Sequence, residues 1–240
     1  MTDRWTEDQR RYFDGGLASY RELYARETPF QKGLIEQLLR LAGIRAGMRV
    51  VELGCGPGRV TMPLLRHGCR VTAVDISRPT LEHLQERVRN EDLTDGFRPL
   101  CADAGQLQLE EPVELVIGRG FLHHLRRPAP VLERARTLLQ PGGRAVFMDP
   151  NPLQPLWLPL HLFHPALSLA KERYLWRGWP AWARRTLRAA GFRDVTSHFL
   201  GLLPPWVWHS AHLADILESW LEKLAGLRLV ALYHVVEGRR

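Results

Sequence analysis

Apolar residues gather in short runs along the first two thirds of the chain, and between the runs they fall at helical spacing. Met48 to Gly54 (MRVVELG), Cys69 to Ser77 (CRVTAVDIS), Phe97 to Ala104 (FRPLCADA), Val113 to Gly120 (VELVIGRG) and Gly143 to Pro150 (GRAVFMDP) read as buried strands. Between them, PTLEHLQERVRN places Leu81, Leu84 and Val88 on one helical face, and APVLERARTLLQ forms a second helix after the fourth run. Each helical pattern stops near glycine, asparagine or proline. Strands this apolar have no face to give to water, so their alternation with helices predicts a parallel sheet covered on both sides. Ahead of the first strand, Gln31 to Ala42 reads as an amphipathic helix with Leu34, Ile35, Leu38 and Leu39 facing inward.

After Pro150 the rhythm changes. Asn151 to Pro180 is rich in proline and tryptophan, and it precedes a helix (AWARRTLRAAG) and a strand (FRDVTSHF). Leu213, Ile216, Leu217, Trp220, Leu221 and Leu224 then repeat at helical spacing before a last strand, LRLVALYHVVEG. The opposite face of that helix carries Asp215, Glu218 and Glu222, whereas a helix on anionic lipid wants lysine and arginine there. The expectation is a helix packed on the body of the protein near the mouth of the site. Leu153 to Ala170 lacks charge, but Pro155, Pro159 and Pro165 and its short length rule against a membrane span.

Composition narrows the class. The chain has 240 residues, 45% hydrophobic and 25% charged, as a soluble globular protein would. Its formal charge of +7 is almost all arginine, spread along the chain, with lysine only at 32, 171 and 223. Nucleic-acid contact gathers such charge on one segment, so most of it reads as solvated surface. Cys55, Cys69 and Cys101 are too few for a secreted disulfide framework, and the charged N-terminus has no apolar signal core. A cytoplasmic protein is expected. His161 with His164, and His209 with His212, have ligand-like spacing but no third ligand beside either, so no metal is expected.

Chemistry enters at Val50 to Val60 (VVELGCGPGRV), where Gly54, Gly56 and Gly58 follow a strand and precede a helix. Such a turn lets backbone approach a ligand closely, at the positive end of a helix. Dinucleotides use G-x-G-x-x-G, but here the spacing is G-x-G-x-G, with Arg59 and Val60 where the third glycine would be. Asp75 ends the second strand, where a carboxylate can accept hydrogen bonds from a ribose diol. That fits NAD and S-adenosylmethionine (SAM) alike. Asp103 ends the third strand, placed for an adenine amino group, with the Ala104 N–H beside it.

VVELGCGPGR, VTAVDIS, CADAGQL, LVIGRGFLHHL and LLQPGGRAVFMDPNP together resemble the ordered motifs of class I SAM-dependent methyltransferases. The branch they look most like is the ubiquinone/menaquinone-methylase-like one, which acts on small molecules and lipids. The resemblance covers Ile44 to Asn151 strongly and continues with weaker motifs. It implies a Rossmann-like, doubly wound, seven-stranded α/β sheet, mostly parallel with the last strand antiparallel, carrying helical lid insertions. It further implies Glu52, Gly54, Cys55, Gly56 and Gly58 at the methionine end of SAM, Asp75 and Ile76 at the ribose, Asp103 and Ala104 at the adenine, and Arg119 after the fourth strand. Glu52 stands where aspartate is commoner, and Gly118-Arg119 replaces a more usual Ser-Arg or Ser-Asn.

Candidate bases lie at the neighbouring strand ends: His124, favoured for its place directly before the leucine of FLHHL, then His123, and Asp149 in FMDPNP. Asp149 and Asn151 can also serve only to organise the turn. Nucleic-acid amino-methyltransferases of this fold carry an Asp/Asn/Ser-Pro-Pro-aromatic motif after the fourth strand; here that place holds GRGFLHHL, and Pro204 to Trp206 falls elsewhere. Together these features predict one methyltransferase domain over 1–240, with an N-terminal arm (1–43), a SAM-binding core (44–150) and lid segments (151–190 and 204–226). Its expected reaction is methylation, on oxygen or carbon, of a small apolar or aromatic metabolite, leaving S-adenosylhomocysteine (SAH). The rival readings are a quinone or isoprenoid-lipid methylase at the membrane surface, a non-catalytic SAM- or nucleotide-binding protein, and an NAD-dependent oxidoreductase.

Overall fold

The computed structural model describes residues 7–11, 13–15, 28–154, 179–203, 216–217, 220–221, 224, 226 and 230–240. The four paired histidines, Pro204 to Trp206 and most of both lid segments lie outside them.

Seven strands form one sheet: β1 (Arg49–Leu53), β2 (Arg70–Asp75), β3 (Phe97–Cys101), β4 (Val113–Arg119), β5 (Leu139–Pro150), β6 (Arg193–Leu200) and β7 (Tyr233–Arg239). Their order is β3-β2-β1-β4-β5-β7-β6. β1 to β5 run parallel, and β7 lies antiparallel between β5 and β6. The expected doubly wound sheet with an antiparallel last strand is therefore present. Helices α1 (Pro29–Leu41), α2 (Thr61–Arg66), α3 (Arg78–Asn90), α4 (Pro128–Leu138) and α5 (Pro180–Ala189) flank it.

Burial follows the alternation that strands impose. Val50, Val71, Leu115, Ile117, Val146 and Met148 face one core, with Leu34, Leu38, Leu64 and Leu84 from α1, α2 and α3. Val51, Val74, Val116 and Phe147 face the other, with Leu132 and Ala135 of α4 and Ala183 and Leu187 of α5. Each fully buried large apolar side chain contributes roughly 1.5–3 kcal/mol, so the two cores dominate the stability. Thr28 starts α1 with a capping box, accepting from the Gln31 N–H while the Gln31 side chain accepts from the Thr28 N–H. Such a cap is worth about 1 kcal/mol. Arg144 donates to Leu41 O and Glu237, tying the end of α1 to β5 and β7.

Two expectations need correction. β5 starts at Leu139 rather than Gly143, because Leu139 already pairs with Val113; the register then shifts, and Arg144 pairs with Leu115. Residues 140–143 thus bulge within the strand, helped by Gly142 at φ +77°. The helix expected to pack on the body lies largely outside the described residues, and those of it that are described do not bury their apolar side chains: Ile216, Leu217, Trp220 and Leu224 are exposed, Trp220 by 59%. Helical spacing reports that one face is apolar, and it says nothing about what that face meets.

Candidate active site

The chain leaves β1 toward β2 and β4 toward β5, so the sheet's C-terminal edge opens into a crevice between β1 and β4. The glycine loop borders it. Gly54, Gly56 and Gly58 have φ of +68°, +51° and +90°, which costs an L-residue roughly 1–2 kcal/mol. Space divides their roles further. A Cβ on Gly54 would meet the Phe121 ring at 2.6 Å, and one on Gly58 would meet Leu84 at 2.3 Å, whereas Gly56 has open space. Gly58 therefore serves the packing of the loop onto α3, whereas Gly56 has no neighbour to pack against.

Main-chain bonds hold the loop. Gly54 N–H and Cys55 N–H both donate to Val74 O, at 2.8 and 3.0 Å. Arg87 of α3 donates to Pro57 O at 2.5 Å. Asp75 braces the loop from β2, since its Oδ2 accepts from Gly56 N–H and its Oδ1 from Ser77 N–H, both at 2.9 Å. Burial pushes the Asp75 carboxyl pKa up while these amides pull it down. Each carboxylate oxygen keeps further lone pairs for a ligand. Cys55 buries its side chain in the core, and that burial drives its thiol pKa well up, so it can serve a ligand only through its backbone.

Further along the edge, Cys101 Sγ makes a weak bond to Ile76 O at 3.7 Å. Asp103 caps the short 3-10 turn Ala104–Gln106, accepting from Gly105 N–H at 2.9 Å. Glu52 lies below the loop, fully buried, and accepts from the Thr61 hydroxyl. Desolvation pushes its pKa up to about 8, with help from the Asp75 charge and against Thr61 and Arg119, so it holds a proton at neutral pH. Arg119 donates to the Tyr233 hydroxyl at 3.2 Å, with its guanidinium 5.4 Å from that ring's centre. Gly118, the departure from the family pattern, has a local reason: a Cβ there would sit 3.0 Å from Phe147 and 3.3 Å from Phe121, which stack on each other.

The two histidines separate. The 3-10 turn Leu122–His124 follows β4 and buries His123. His123 Nδ1 lies 2.5 Å from Asp149 Oδ1, which also accepts the His123 N–H at 3.3 Å. Asp149 Oδ2 is buried with no hydrogen-bond partner among the described residues. His124 is half-buried, its ring 4.0 Å from that of His123 and edge-on to Phe13 at 5.3 Å. So Asp149 holds a histidine, while Asn151 organises the turn: it accepts from Leu153 N–H and donates to Ala231 O. Opposite Asp149 on β7, His234 is buried with Nε2 3.0 Å from Ser197 Oγ, and burial pushes its pKa down to about 4.

Sequence reasoning missed Phe121, Thr61, Tyr233 and Phe13. Phe121 had one local signal, its place between the glycines of GRG and the histidines; the others meet their partners only through the fold. Among the described residues no cluster of three or more His, Cys, Asp or Glu could hold a metal, and no helix is long and apolar enough to cross a membrane.

Comparison with known proteins gives the same picture. Residues 51–147 match the methyltransferase domain family. The ubiquinone biosynthesis O-methyltransferase of Stutzerimonas stutzeri is 28% identical over 124 residues, 52% of each chain. That of a Caulobacter species is 31% identical over 105 residues, 44% of this chain and 42% of the relative. The chain thus spans about half the length of the curated relatives it matches. A SAM-dependent methyltransferase from Archaeoglobus fulgidus superposes with a TM-score of 0.66 at 17% identity, over 93% of this chain and 99% of that one. Magnesium protoporphyrin IX methyltransferase from Synechocystis, solved with bound SAH, does so with 0.65 at 16%, over 98% and 99%. At these identities the likeness is one of fold. The glycine loop and the strand-end carboxylates fall within the stretch, residues 51–147, that matches the methyltransferase domain family, and the fold is that of SAM-dependent methyltransferases.

Proposed function

We propose that the protein transfers a methyl group from SAM to an oxygen or carbon of a small apolar or aromatic metabolite. The residues present fit the cofactor: the backbone opened by Gly56, the spare lone pairs of Asp75 and the acidic end of β3 at Asp103 suit an adenosine. Asp75 and Ile76 would hold the ribose, Asp103 and Ala104 the adenine, and Glu52, Arg119 and the loop backbone from Gly54 through Cys55 and Gly56 to Gly58 the methionine end. SAM supplies an electrophilic methyl for in-line displacement, so the protein must position the acceptor, exclude water and take up any proton released.

The observation that carries the reading is the His124 ring tilted against the ring of His123, which Asp149 holds. His124 is the half-exposed member and the candidate base for an acceptor hydroxyl or acidic carbon. His123, fixed through Nδ1 by Asp149, acts as a positioning residue beneath it. Phe13 packs edge-on against the His124 ring. General-base assistance of this kind is worth about 10²–10⁴ in rate. The test is transfer of labelled methyl from SAM to a panel of phenols, catechols and quinols, with His124→Ala alongside. Turnover on an acceptor, lost at least about 100-fold in the variant while SAH still binds, supports the reading. SAH binding with no transfer to any acceptor would leave a non-catalytic SAM-binding protein in its place.

One observation favours a second reading, a quinone or isoprenoid-lipid methylase at a membrane surface. Ile216, Leu217, Trp220 and Leu224 are exposed, and tryptophan and leucine suit an interface. The relatives named as ubiquinone biosynthesis O-methyltransferases point to the same acceptors. Co-sedimentation with phosphatidylcholine vesicles, lost in Trp220→Glu, separates this reading from a purely cytoplasmic one.

A further inference from the structure

Behind the His123–Asp149 pair the sheet carries further polar side chains. Asp149 of β5 stands opposite His234 of β7, which in turn stands opposite Phe199 of β6. Opposed residues of antiparallel strands share a face, with Cβ atoms ~5 Å apart, so a buried carboxylate and a buried histidine lie side by side. They do not pair. Asp149 Oδ1 serves His123, and its Oδ2 has no hydrogen-bond partner among the described residues. His234 turns Nε2 to Ser197 Oγ at 3.0 Å, and its ring lies tilted 5.4 Å from that of Phe199. Ser197 Oγ also accepts from Arg184 of α5, at 3.1 Å.

Counting protons gives these bonds a direction. Arginine only donates, so Ser197 Oγ is the acceptor of that bond. The Ser197 hydroxyl keeps one proton, and the acceptor within its reach is His234 Nε2. A neutral imidazole that accepts at Nε2 carries its own proton on Nδ1. In the reverse arrangement, Nε2–H and Arg184 would both donate to Ser197, leaving the hydroxyl proton without an acceptor among the described residues. The surroundings also favour the neutral ring. Burial holds the His234 pKa down at about 4 against the pull of the Asp149 charge, and Arg184 and His198 add repulsion. Asp149 from β5, Arg184 from α5 and His198 from β6 are the charged or titratable groups acting on this ring among the described residues.

We infer that Arg184, Ser197 and His234 form a positioning relay behind the His123–Asp149 pair. Ser197, held by Arg184, engages Nε2 and keeps a neutral His234 turned from Asp149, so that the carboxylate serves His123 alone. This rests on the reading of His123 and His124 as the acceptor side of a methyltransferase site. Without the Ser197 hydroxyl, His234 is released beside an open carboxylate oxygen and becomes a second partner for Asp149. A carboxylate partner favours the charged imidazole, so this competition grows as pH falls.

The experiment is a nitrogen NMR titration of the histidine rings in the whole protein, as wild type, Ser197→Ala and Ser197→Thr. His234→Gln and His123→Gln assign the signals, and thermal melts show that each variant is folded. Methyl transfer from SAM at about pH 6 and about pH 8, and calorimetric titration of SAH, run alongside. The wild type should show His234 with its proton on Nδ1, a result that needs no variant. In Ser197→Ala that preference is lost, and the His234 midpoint rises toward the ordinary histidine range. The His123 midpoint falls, because His123 now shares its carboxylate. Turnover drops about fivefold near pH 6 and less near pH 8, with SAH affinity unchanged, and Ser197→Thr restores the wild-type behaviour. A wild-type ring with its proton on Nε2 overturns the relay. So does a Ser197→Ala protein in which both histidines titrate as in the wild type, or one that loses turnover equally at both pH values, since Ser197 then only packs. If the rings titrate as expected while the wild type transfers methyl to no acceptor, the relay stands and the methyltransferase reading of the site has failed.

Discussion

The proposed cofactor half and the proposed acceptor half of the same sheet edge are built from different bonds. Around β1, β2 and β3, neighbouring loops hold each other through main-chain amides: Gly54 and Cys55 on Val74 O, Gly56 and Ser77 on Asp75, Gly105 on Asp103. Around β4, β5 and β7, side chains from distant parts of the chain meet each other: His123 with Asp149, and His234 with Ser197. A backbone scaffold needs only glycines and one acid per strand end, and so can hold the same ligand under many sequences. A side-chain scaffold changes its chemistry with each substitution, as suits the half that selects an acceptor.

The comparison predicts that damage stays in its own half. Asp149→Asn should cost the most, lowering turnover at least about 100-fold by releasing His123, while SAH affinity in calorimetry stays within about twofold. Equal losses of affinity and turnover would break the distinction. Asp75→Ala should do the reverse, weakening SAH about 100-fold through loss of the ribose acceptor and the Gly56 brace.

Within the loop, the glycines should divide. Gly58→Ala meets both Leu84 and a positive φ and should lower stability by about 2–3 kcal/mol in denaturant melts. Gly56→Ala carries only the backbone strain, about 1–2 kcal/mol, and should show chiefly as weaker SAH binding.

The remaining effects concern pH, and their signs differ between the halves. Glu52 has a folded pKa near 8, above its unfolded value, so the folded state keeps a proton that the unfolded state releases. Stability should therefore fall as pH rises from about 4.5 to about 8, and Glu52→Gln should flatten this limb of the melting-temperature profile. His234 has a folded pKa near 4, below its unfolded value, so the unfolded state takes up a proton first as pH falls. Stability should be lost between about pH 6.5 and 4, and His234→Gln should remove that loss. An unchanged acid limb in this variant would mean that His234 is not the group responsible.

Legibility followed the same division. Asp75 and Asp103 could be read because each ends a recognisable strand, and a strand end on a doubly wound sheet has a predictable place. The glycine loop could be read as a turn, but not that Gly58 faces Leu84 and Gly56 faces open space, because the neighbour filling the space sits on α3. His123 and His124 looked alike because adjacent residues share a motif; only the turn after β4 puts one under Asp149 and leaves the other at the crevice.

The sequence by itself determined the order of strands and helices, the parallel sheet and the positions of the acids at its edge, because alternation and glycine spacing act over a few residues. Tertiary structure alone decided that Asp149 holds His123, that Tyr233 meets Arg119 across 114 residues of chain, and that His234 meets Ser197. Those contacts depend on which side chains the packed sheet and its cover bring within hydrogen-bond reach, and no local pattern encodes that distance.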